Sequence, residues 1–90
     1  MLRESLPIVN ALGLHARAAA RLVRLAGKFN CKITLVRDDT GLSANAKSIL
    51  SVLHLAASFG TGLSVTADGQ DEDAAVVAIK ELFESGFGEI

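Results

Sequence analysis

The sequence is poor in the residues that mark several common protein classes. It has no Trp or Tyr, one Pro and one Cys among 90 residues. Cys31 has neither an internal disulfide partner nor a metal-type cysteine pair, so a reduced, cytoplasmic compartment is expected. No apolar run reaches the length of about 18 residues that indicates a membrane-spanning helix. The first five residues lead straight into apolar alternation, without a signal peptide, and we expect no membrane insertion.

The charges divide the chain into two halves of opposite sign. Residues 1–47 hold eight of the nine Lys and Arg against three acidic residues, a net charge of +5, whereas residues 48–90 carry −6. A nucleic-acid-binding domain usually has a basic excess over its whole length and aromatic rings that stack on bases. The overall charge of −1 and the missing Trp and Tyr argue against a nucleic-acid partner. Half of the residues are hydrophobic, which predicts one folded domain over residues 1–90.

Residue periodicity predicts four strands and three helices, in the order strand, helix, strand, strand, helix, strand, helix. The predicted strands cover residues 5–10, 31–37, 42–45 and 63–68, and the predicted helices cover 16–28, 48–58 and 71–85. This order is typical of an α+β fold in which helices cover one face of a small sheet. Since Pro7 has no amide hydrogen to donate, the first strand is expected at an edge of the sheet.

The second predicted helix has more apolar positions than one buried face needs. Ile49, Val52, Leu53 and Ala56 recur on one side, and Leu50 and His54 extend the apolar coverage beside them. We therefore expect at least one of Ile49 and Leu50 to be exposed as a small apolar contact patch. His54 is interpreted as a surface or packing histidine.

The segment Gly13-Leu14-His15-Ala16-Arg17 lies where the first strand gives way to the first helix. His15 is expected near the N-cap, where the backbone N–H groups of Ala16 and Arg17 lack intrahelical partners. Together with the helix dipole these groups form an anion site, to which the Arg17 guanidinium can add a charge-assisted contact. A neutral imidazole is a competent nucleophile, and phosphoryl transfer needs mainly positioning and charge stabilisation. The same five residues also fit a histidine that only caps a helix, so both interpretations stay open on this segment alone.

Several longer motifs resemble one family. The segment from Gly13 to Arg17 is followed by Ala-Ala-Ala. The likeness continues over nearly the whole chain, in Asn45-Ala46-Lys47-Ser48-Ile49-Leu50, in residues 65–74 and in residues 82–87. These motifs resemble HPr, the small phosphocarrier family of the bacterial phosphoenolpyruvate-dependent phosphotransferase system. The resemblance implies an open-faced sandwich: a four-stranded antiparallel sheet in the order 1-4-2-3, covered on one face by three helices.

The resemblance also implies roles for single residues. His15 matches the histidine that phospho-enzyme I phosphorylates on Nδ1, and Arg17 matches the arginine that stabilises the phosphate. Ser48 matches the serine that HPr kinase/phosphorylase modifies in many members, although a serine at a helix start is also an ordinary N-cap. The family passes its phosphoryl group on to IIA-type acceptors, so we expect a carrier, not a stand-alone enzyme, with no metal and no organic cofactor. The family usually has Pro after the active-site Arg, and the Ala18 found here is expected to cost little function.

The predicted partner surface combines a basic stripe on the first helix with apolar positions on the second. A basic stripe is often only a solvated helix face, but beside an anion-transfer site it can steer acidic partners. The residues predicted to contact partners are Arg21, Arg24, Lys28, Lys47, Ile49, Leu50 and Leu53. A monomer is expected, since the histidine has to reach several partners. Two alternatives stay open: a nitrogen-branch (NPr-type) regulatory carrier, and a regulatory module that acts by docking alone.

Overall fold

The four strands and three helices follow one another along the chain in the predicted order. The structure is a computed structural model that describes residues 1–89. Its elements are β1 (Leu2–Leu6), α1 (Ala16–Ala26), β2 (Lys32–Arg37), β3 (Ser43–Asn45), α2 (Ile49–His54), β4 (Leu63–Asp68) and α3 (Glu72–Glu84). A short 3-10 turn over Gly86–Gly88 follows α3 and brings the chain back toward the start of α1.

The four strands form one antiparallel sheet in the order β1-β4-β2-β3. In its centre Leu35 of β2 lies opposite Val65 of β4 on one side and Ala44 of β3 on the other. β1 pairs only with β4 within the described residues, with Leu6 opposite Leu63. The sheet order, the edge position of the first strand and the α+β class are confirmed.

The core lies between the sheet and the three helices. Ile33 and Leu35 of β2 point toward the helices and are buried, and so is Cys31 directly before this strand, as their alternation predicts. The rings of Phe83 in α3 and Phe87 in the following turn meet edge to face, with centroids 4.8 Å apart. This contact fixes the chain after α3 against the core, which matters for the site described below.

The first strand lies three to four residues earlier than predicted. The prediction covered residues 5–10, whereas β1 spans Leu2–Leu6 and ends directly before Pro7. Pro7 has no N–H to donate to a neighbouring strand, so the pairing between β1 and β4 ends before this residue. Pro7 thus ends the strand and does not lie within an edge strand, as was predicted. The following residues form a loop in which the Gly60 N–H donates to the carbonyl of Ile8. This loop leads to the candidate site.

The second helix is shorter than predicted. It was expected over residues 48–58 but ends at His54, and Ala56 adopts a left-handed φ of 51° outside the helix. Ala56 is exposed, so it adds nothing to a buried face of this helix. The carbonyl of Ala57 accepts a hydrogen bond from the Leu14 N–H at 3.0 Å, so this segment packs against the loop before α1 instead of continuing the helix. The first helix also ends early, at Ala26 instead of residue 28, with Gly27 as its C-cap.

Candidate functional site

The loop before α1 is held by a close backbone approach at Gly13. Gly13 has a φ of +63°, and a Cβ there would lie 2.6 Å from the Cα of Ser58 and 2.8 Å from the carbonyl oxygen of Ala57. No side chain fits such a distance, so glycine is required at this position. The chain after α2 therefore sets the position at which α1 begins.

His15 is the N-cap residue of α1, as predicted. Its backbone is extended, with φ −74° and ψ 179°, and its side-chain Nδ1 accepts the backbone N–H of Arg17 at 3.3 Å. The His15 carbonyl accepts the first helical hydrogen bond from Ala19 at 2.8 Å. The imidazole is 24% exposed, and the first turn of α1 contains no acidic residue. Nδ1 thus lies at the positive end of the helix, where an added anion is stabilised.

Arg17 and Ala16 lie in the first turn beside this nitrogen. Ala16 is exposed, and the Arg17 side chain is 62% exposed. The Arg17 guanidinium Nε donates to Oε2 of Glu89 at 3.2 Å. Ala18, which stands where the resembled family usually has Pro, is fully buried against the core. The helix start therefore presents one nitrogen lone pair, one guanidinium and a backbone N–H in a half-open site.

Glu89 completes the site from the far end of the chain, and sequence reasoning missed it. Its Oε2 lies 2.7 Å from Nε2 of His15, and its side chain is only 12% exposed. The hydrogen bond from Asn10 contributes most to holding the pKa of the Glu89 carboxyl below its usual range, and His15 and the Arg17 charge lower it further. No short-range pattern connects Glu89 with His15, because 74 residues separate them.

Asn10 is the second site residue that the sequence did not indicate. It is fully buried, and its Nδ2 donates to the Gly13 carbonyl at 2.9 Å and to Oε1 of Glu89 at 2.9 Å. Both partners are pure acceptors, which fixes the orientation of the amide. The only local signal was the apolar surroundings of a lone Asn just before a glycine turn.

The predicted partner residues are exposed to different degrees. Ile49 and Leu50 are 39% and 78% exposed, which confirms an apolar patch at the start of α2. Arg24 and Lys28 are exposed as well, whereas Leu53 is half-buried and packs against the core. The half-buried Arg21 and Lys47 donate to the carbonyls of Phe87 and Phe29, so these cations also hold the fold together.

Ser48 is the N-cap of α2, as predicted, and its hydroxyl accepts the Ser51 N–H at 3.4 Å. Ser48 is half-buried and directly follows Lys47 in the sequence. His54 is exposed at the last position of α2 and lies on a different element from His15. Within residues 1–89 no cluster of three His, Cys, Asp or Glu side chains is arranged to hold a metal ion. None of the helices described over that range has the length and apolar character to cross a membrane.

Comparison with known proteins identifies the family. Residues 2–85 match the family model described as the phosphorylation site of the HPr component of the phosphotransferase system. The chain belongs to the HPr family of phosphocarrier proteins. This assignment agrees with the resemblance that the sequence motifs indicate.

Individual relatives of this HPr-family chain match over almost their full length. It is 49% identical to the phosphocarrier protein HPr of Xylella fastidiosa, over 99% of this chain and 98% of that protein. It is 38% identical to the phosphocarrier protein NPr of Escherichia coli, over 97% and 96% of the two chains. A crystal structure of HPr from Thermoanaerobacter tengcongensis superposes with a TM-score of 0.92 at 40% identity, covering 100% of this chain and 99% of that one. Both HPr and NPr are therefore among its relatives.

Proposed function

We propose that this HPr-family chain relays a phosphoryl group from phospho-enzyme I to IIA-type acceptor proteins, with His15 Nδ1 as the carrier atom. The observation that carries the proposal is the position of Nδ1. It lies at the N-terminus of α1, faces the Arg17 N–H at 3.3 Å, and belongs to a ring whose other nitrogen contacts a carboxylate. A histidine that served only as a helix cap would need neither the guanidinium nor the carboxylate.

Two in-line transfers account for the relay. In the first, the Nδ1 lone pair attacks the phosphorus on enzyme I, the bond to the donor atom breaks, and its electron pair stays on the donor. Because the new N–P bond uses the Nδ1 lone pair, the Arg17 N–H is free to donate to a phosphoryl oxygen instead. The Ala16 N–H is a second donor, and the Arg17 guanidinium adds positive charge. In the second, the acceptor attacks the same phosphorus and Nδ1 recovers its lone pair. The site is half-open, which allows both partners to reach it.

The exposed residues of α1, of the turn after it and of α2 fit an acidic partner with an apolar centre. Arg24 in the last turn of α1 and Lys28 just beyond this helix are exposed cations, and Leu50 on α2 presents 78% of its surface to solvent. A basic rim steers acidic proteins toward the site, and an exposed leucine gives them an apolar contact. We assign enzyme I and the IIA-type acceptors to this surface. A cytoplasmic monomer that folds as one domain over residues 1–90 stays a prediction.

Ser48 is proposed as a regulatory site in a host that has HPr kinase/phosphorylase. A phosphate on its hydroxyl would add a charge of about −2 beside Lys47 and the apolar patch. That charge repels an acidic partner, so phosphorylation of Ser48 is expected to slow the transfer of a phosphoryl group from enzyme I to His15. A Ser48→Asp variant that accepts phosphate at the parent rate would contradict this role.

The decisive experiment is phosphorylation by enzyme I and phosphoenolpyruvate, followed by phosphorus NMR. The parent protein should form an acid-labile phosphohistidine on Nδ1, and His15→Ala should form none. His54→Ala is the matched control, because His54 is the other histidine and is exposed, and it should behave as the parent. If the parent forms no adduct with an active enzyme I, the relay is wrong and a docking-only module becomes the better explanation.

The same phosphorylated protein distinguishes the two branches of the family. Adding purified IIA acceptors one at a time shows which of them removes the phosphoryl group. Removal by an acceptor for sugar uptake supports an HPr-type carrier. Removal only by the nitrogen-branch acceptor supports the NPr-type alternative, in which His15 has the same chemical role.

A further inference from the structure

The Glu89 carboxylate contacts both side chains of the proposed phosphoryl site. Its Oε2 lies 2.7 Å from His15 Nε2 and accepts the Arg17 Nε–H at 3.2 Å. Its Oε1 accepts from Asn10 at 2.9 Å. With a side chain that is 12% exposed, the carboxylate lies behind the imidazole and not on the surface that a partner would cover.

Asn10 holds this carboxylate in one orientation. The Asn10 side chain is fully buried, and its amide donates to the Gly13 carbonyl as well as to Glu89. Gly13 is in turn held against Ser58 by a backbone approach that leaves no room for a Cβ. Oε1 is thus tied to a rigid loop, and Oε2 serves the imidazole together with the Arg17 guanidinium. A site that is supported in this way keeps its geometry during a reaction.

An ionised carboxylate can only accept hydrogen bonds, so the hydrogen at the 2.7 Å contact belongs to His15 Nε2. A neutral imidazole with hydrogen on Nε2 has its lone pair on Nδ1. The other contact of the ring agrees, because Nδ1 accepts the Arg17 N–H at 3.3 Å. The two contacts at opposite sides of the ring therefore select the same tautomer and fix the plane of the ring.

We infer that Glu89 is a positioning residue for His15, which fixes the hydrogen on Nε2 and aims the Nδ1 lone pair at the incoming phosphorus. This inference rests on the proposed function. When the Nδ1–P bond forms and the donor keeps its electron pair, the ring gains positive charge while the hydrogen stays on Nε2. The carboxylate at 2.7 Å stabilises that charge, in the way that an aspartate orients and stabilises the histidine of a serine protease triad.

The kinetic test measures phosphoryl transfer from enzyme I at varied carrier concentration. Glu89→Ala should lower kcat about tenfold, the usual size of a lost charge-assisted hydrogen bond, and leave KM within about twofold. KM should not move, because Glu89 lies behind the ring. Glu89→Gln keeps a carbonyl acceptor but loses the charge, so its kcat should lie between those of the parent and of Glu89→Ala. Glu81→Gln, which removes an exposed carboxylate from α3, is the matched control and should leave both constants unchanged.

A spectroscopic test separates positioning from a general loss of structure. In nitrogen-15 spectra of the histidine-labelled parent, His15 should have hydrogen on Nε2 and none on Nδ1, with slow exchange of the Nε2 hydrogen. In Glu89→Ala that hydrogen should exchange rapidly with water. The exposed His54 provides an internal reference for rapid exchange in the same spectrum. Urea unfolding of each variant checks that the fold is intact.

The outcomes distinguish this inference from the proposed function. If the parent accepts phosphate and Glu89→Ala has the parent kcat, Glu89 is not a positioning residue although the relay stands. Hydrogen on Nδ1 in the resting parent would also overturn the inference. If the parent accepts no phosphate, the proposed relay is wrong, and Glu89 then has no role in phosphoryl transfer. A lower kcat, an unchanged KM and loss of the protected Nε2 hydrogen together would support it.

Discussion

The N-termini of α1 and α3 use the same helix dipole in opposite ways. The first turn of α3 contains Glu72 and Asp73, whose charges complement the positive helix end, whereas the first turn of α1 contains no acidic residue. At α1 the cap is an imidazole whose Nδ1 accepts a backbone N–H, and the nearby Glu89 bonds to side chains on the other side of that ring. The first turn of α3 thus carries its own complementary acidic residues, whereas the first turn of α1 has none, which suits the anion that the proposed relay would bring to His15.

The N-cap residues of α1 and α3 also differ in what their side chains bind. Asp71 precedes α3 but makes no cap hydrogen bond to its own helix. Its carboxylate accepts the backbone N–H groups of Asn30 at 2.8 Å and of Cys31 at 3.0 Å, which ties α3 to the start of β2. The Asn30 N–H contributes most to lowering the pKa of Asp71. The α3 end is therefore built for stability, and we expect changes at the two ends to separate into stability effects and transfer effects.

The largest stability effect is expected for Asp71→Ala. The change leaves two backbone N–H groups without their carboxylate acceptor and should lower Tm by about 8 °C, while phosphoryl acceptance at His15 stays at the parent rate. Asp73→Ala is the matched control, because Asp73 is exposed in the first turn, and it should change Tm far less. Equal losses of Tm in the two variants would show that the link to β2 is unimportant.

The same pair of variants gives a pH dependence with a definite sign. The pKa of Asp71 is lowered in the folded protein. Its carboxylate therefore contributes fully to the free energy of unfolding above the ordinary carboxyl pKa of about 4, and this contribution disappears as the pH falls through the folded-state pKa. The difference in Tm between the parent and Asp71→Ala should therefore shrink below about pH 4. Thermal unfolding followed by circular dichroism across the acid range measures it, and a difference that grows toward low pH would reverse the assigned sign.

The next largest effect is expected when the first turn of α1 is given a negative charge like the one in the first turn of α3. Ala16→Glu places a carboxylate in the exposed first turn, beside the nitrogen that is proposed to take up the phosphoryl group. It should raise helix stability by about 0.5 kcal/mol through the dipole, yet slow phosphoryl acceptance about tenfold by opposing the incoming anion. Ala16→Gln matches the size without the charge and should transfer at nearly the parent rate. If both variants are equally slow, bulk at residue 16, not charge, limits the reaction.

The features of the site that follow from local patterns were predictable. The position of His15 at a helix start came from the glycine before it and the apolar repeat after it, and the acidic opening of α3 came from three adjacent residues. The sheet order came from the family resemblance, with Pro7 as independent support for an edge strand. Apart from the sheet order, each of these signals lies within a few residues along the chain, where helix and strand periodicity are informative.

The parts that were missed depend on contacts between distant residues. Glu89 and Asn10 are 79 residues apart and meet only because the turn after α3 packs Phe87 into the core. The early end of α2 has a similar cause, since the pairing of Ala57 with Leu14 overrides the local helix signal. A single sequence has no periodic signal for such pairs, so tertiary contacts decide them.

The smallest effect tests whether the two helix ends are independent. Glu72 accepts the Gly69 N–H at 3.1 Å and lies 3.2 Å from the N-terminal amine, and the Gly69 hydrogen bond contributes most to lowering its pKa. Glu72→Gln keeps an acceptor but loses the charge, so Tm should fall by only about 2 °C, and by less at high salt. Transfer to His15 should not change, because dipole effects are confined to the first turn of a helix. Slower transfer in this variant would mean that the charge at the start of α3 reaches the phosphoryl site, and the contrast between the two helix ends would have to be abandoned.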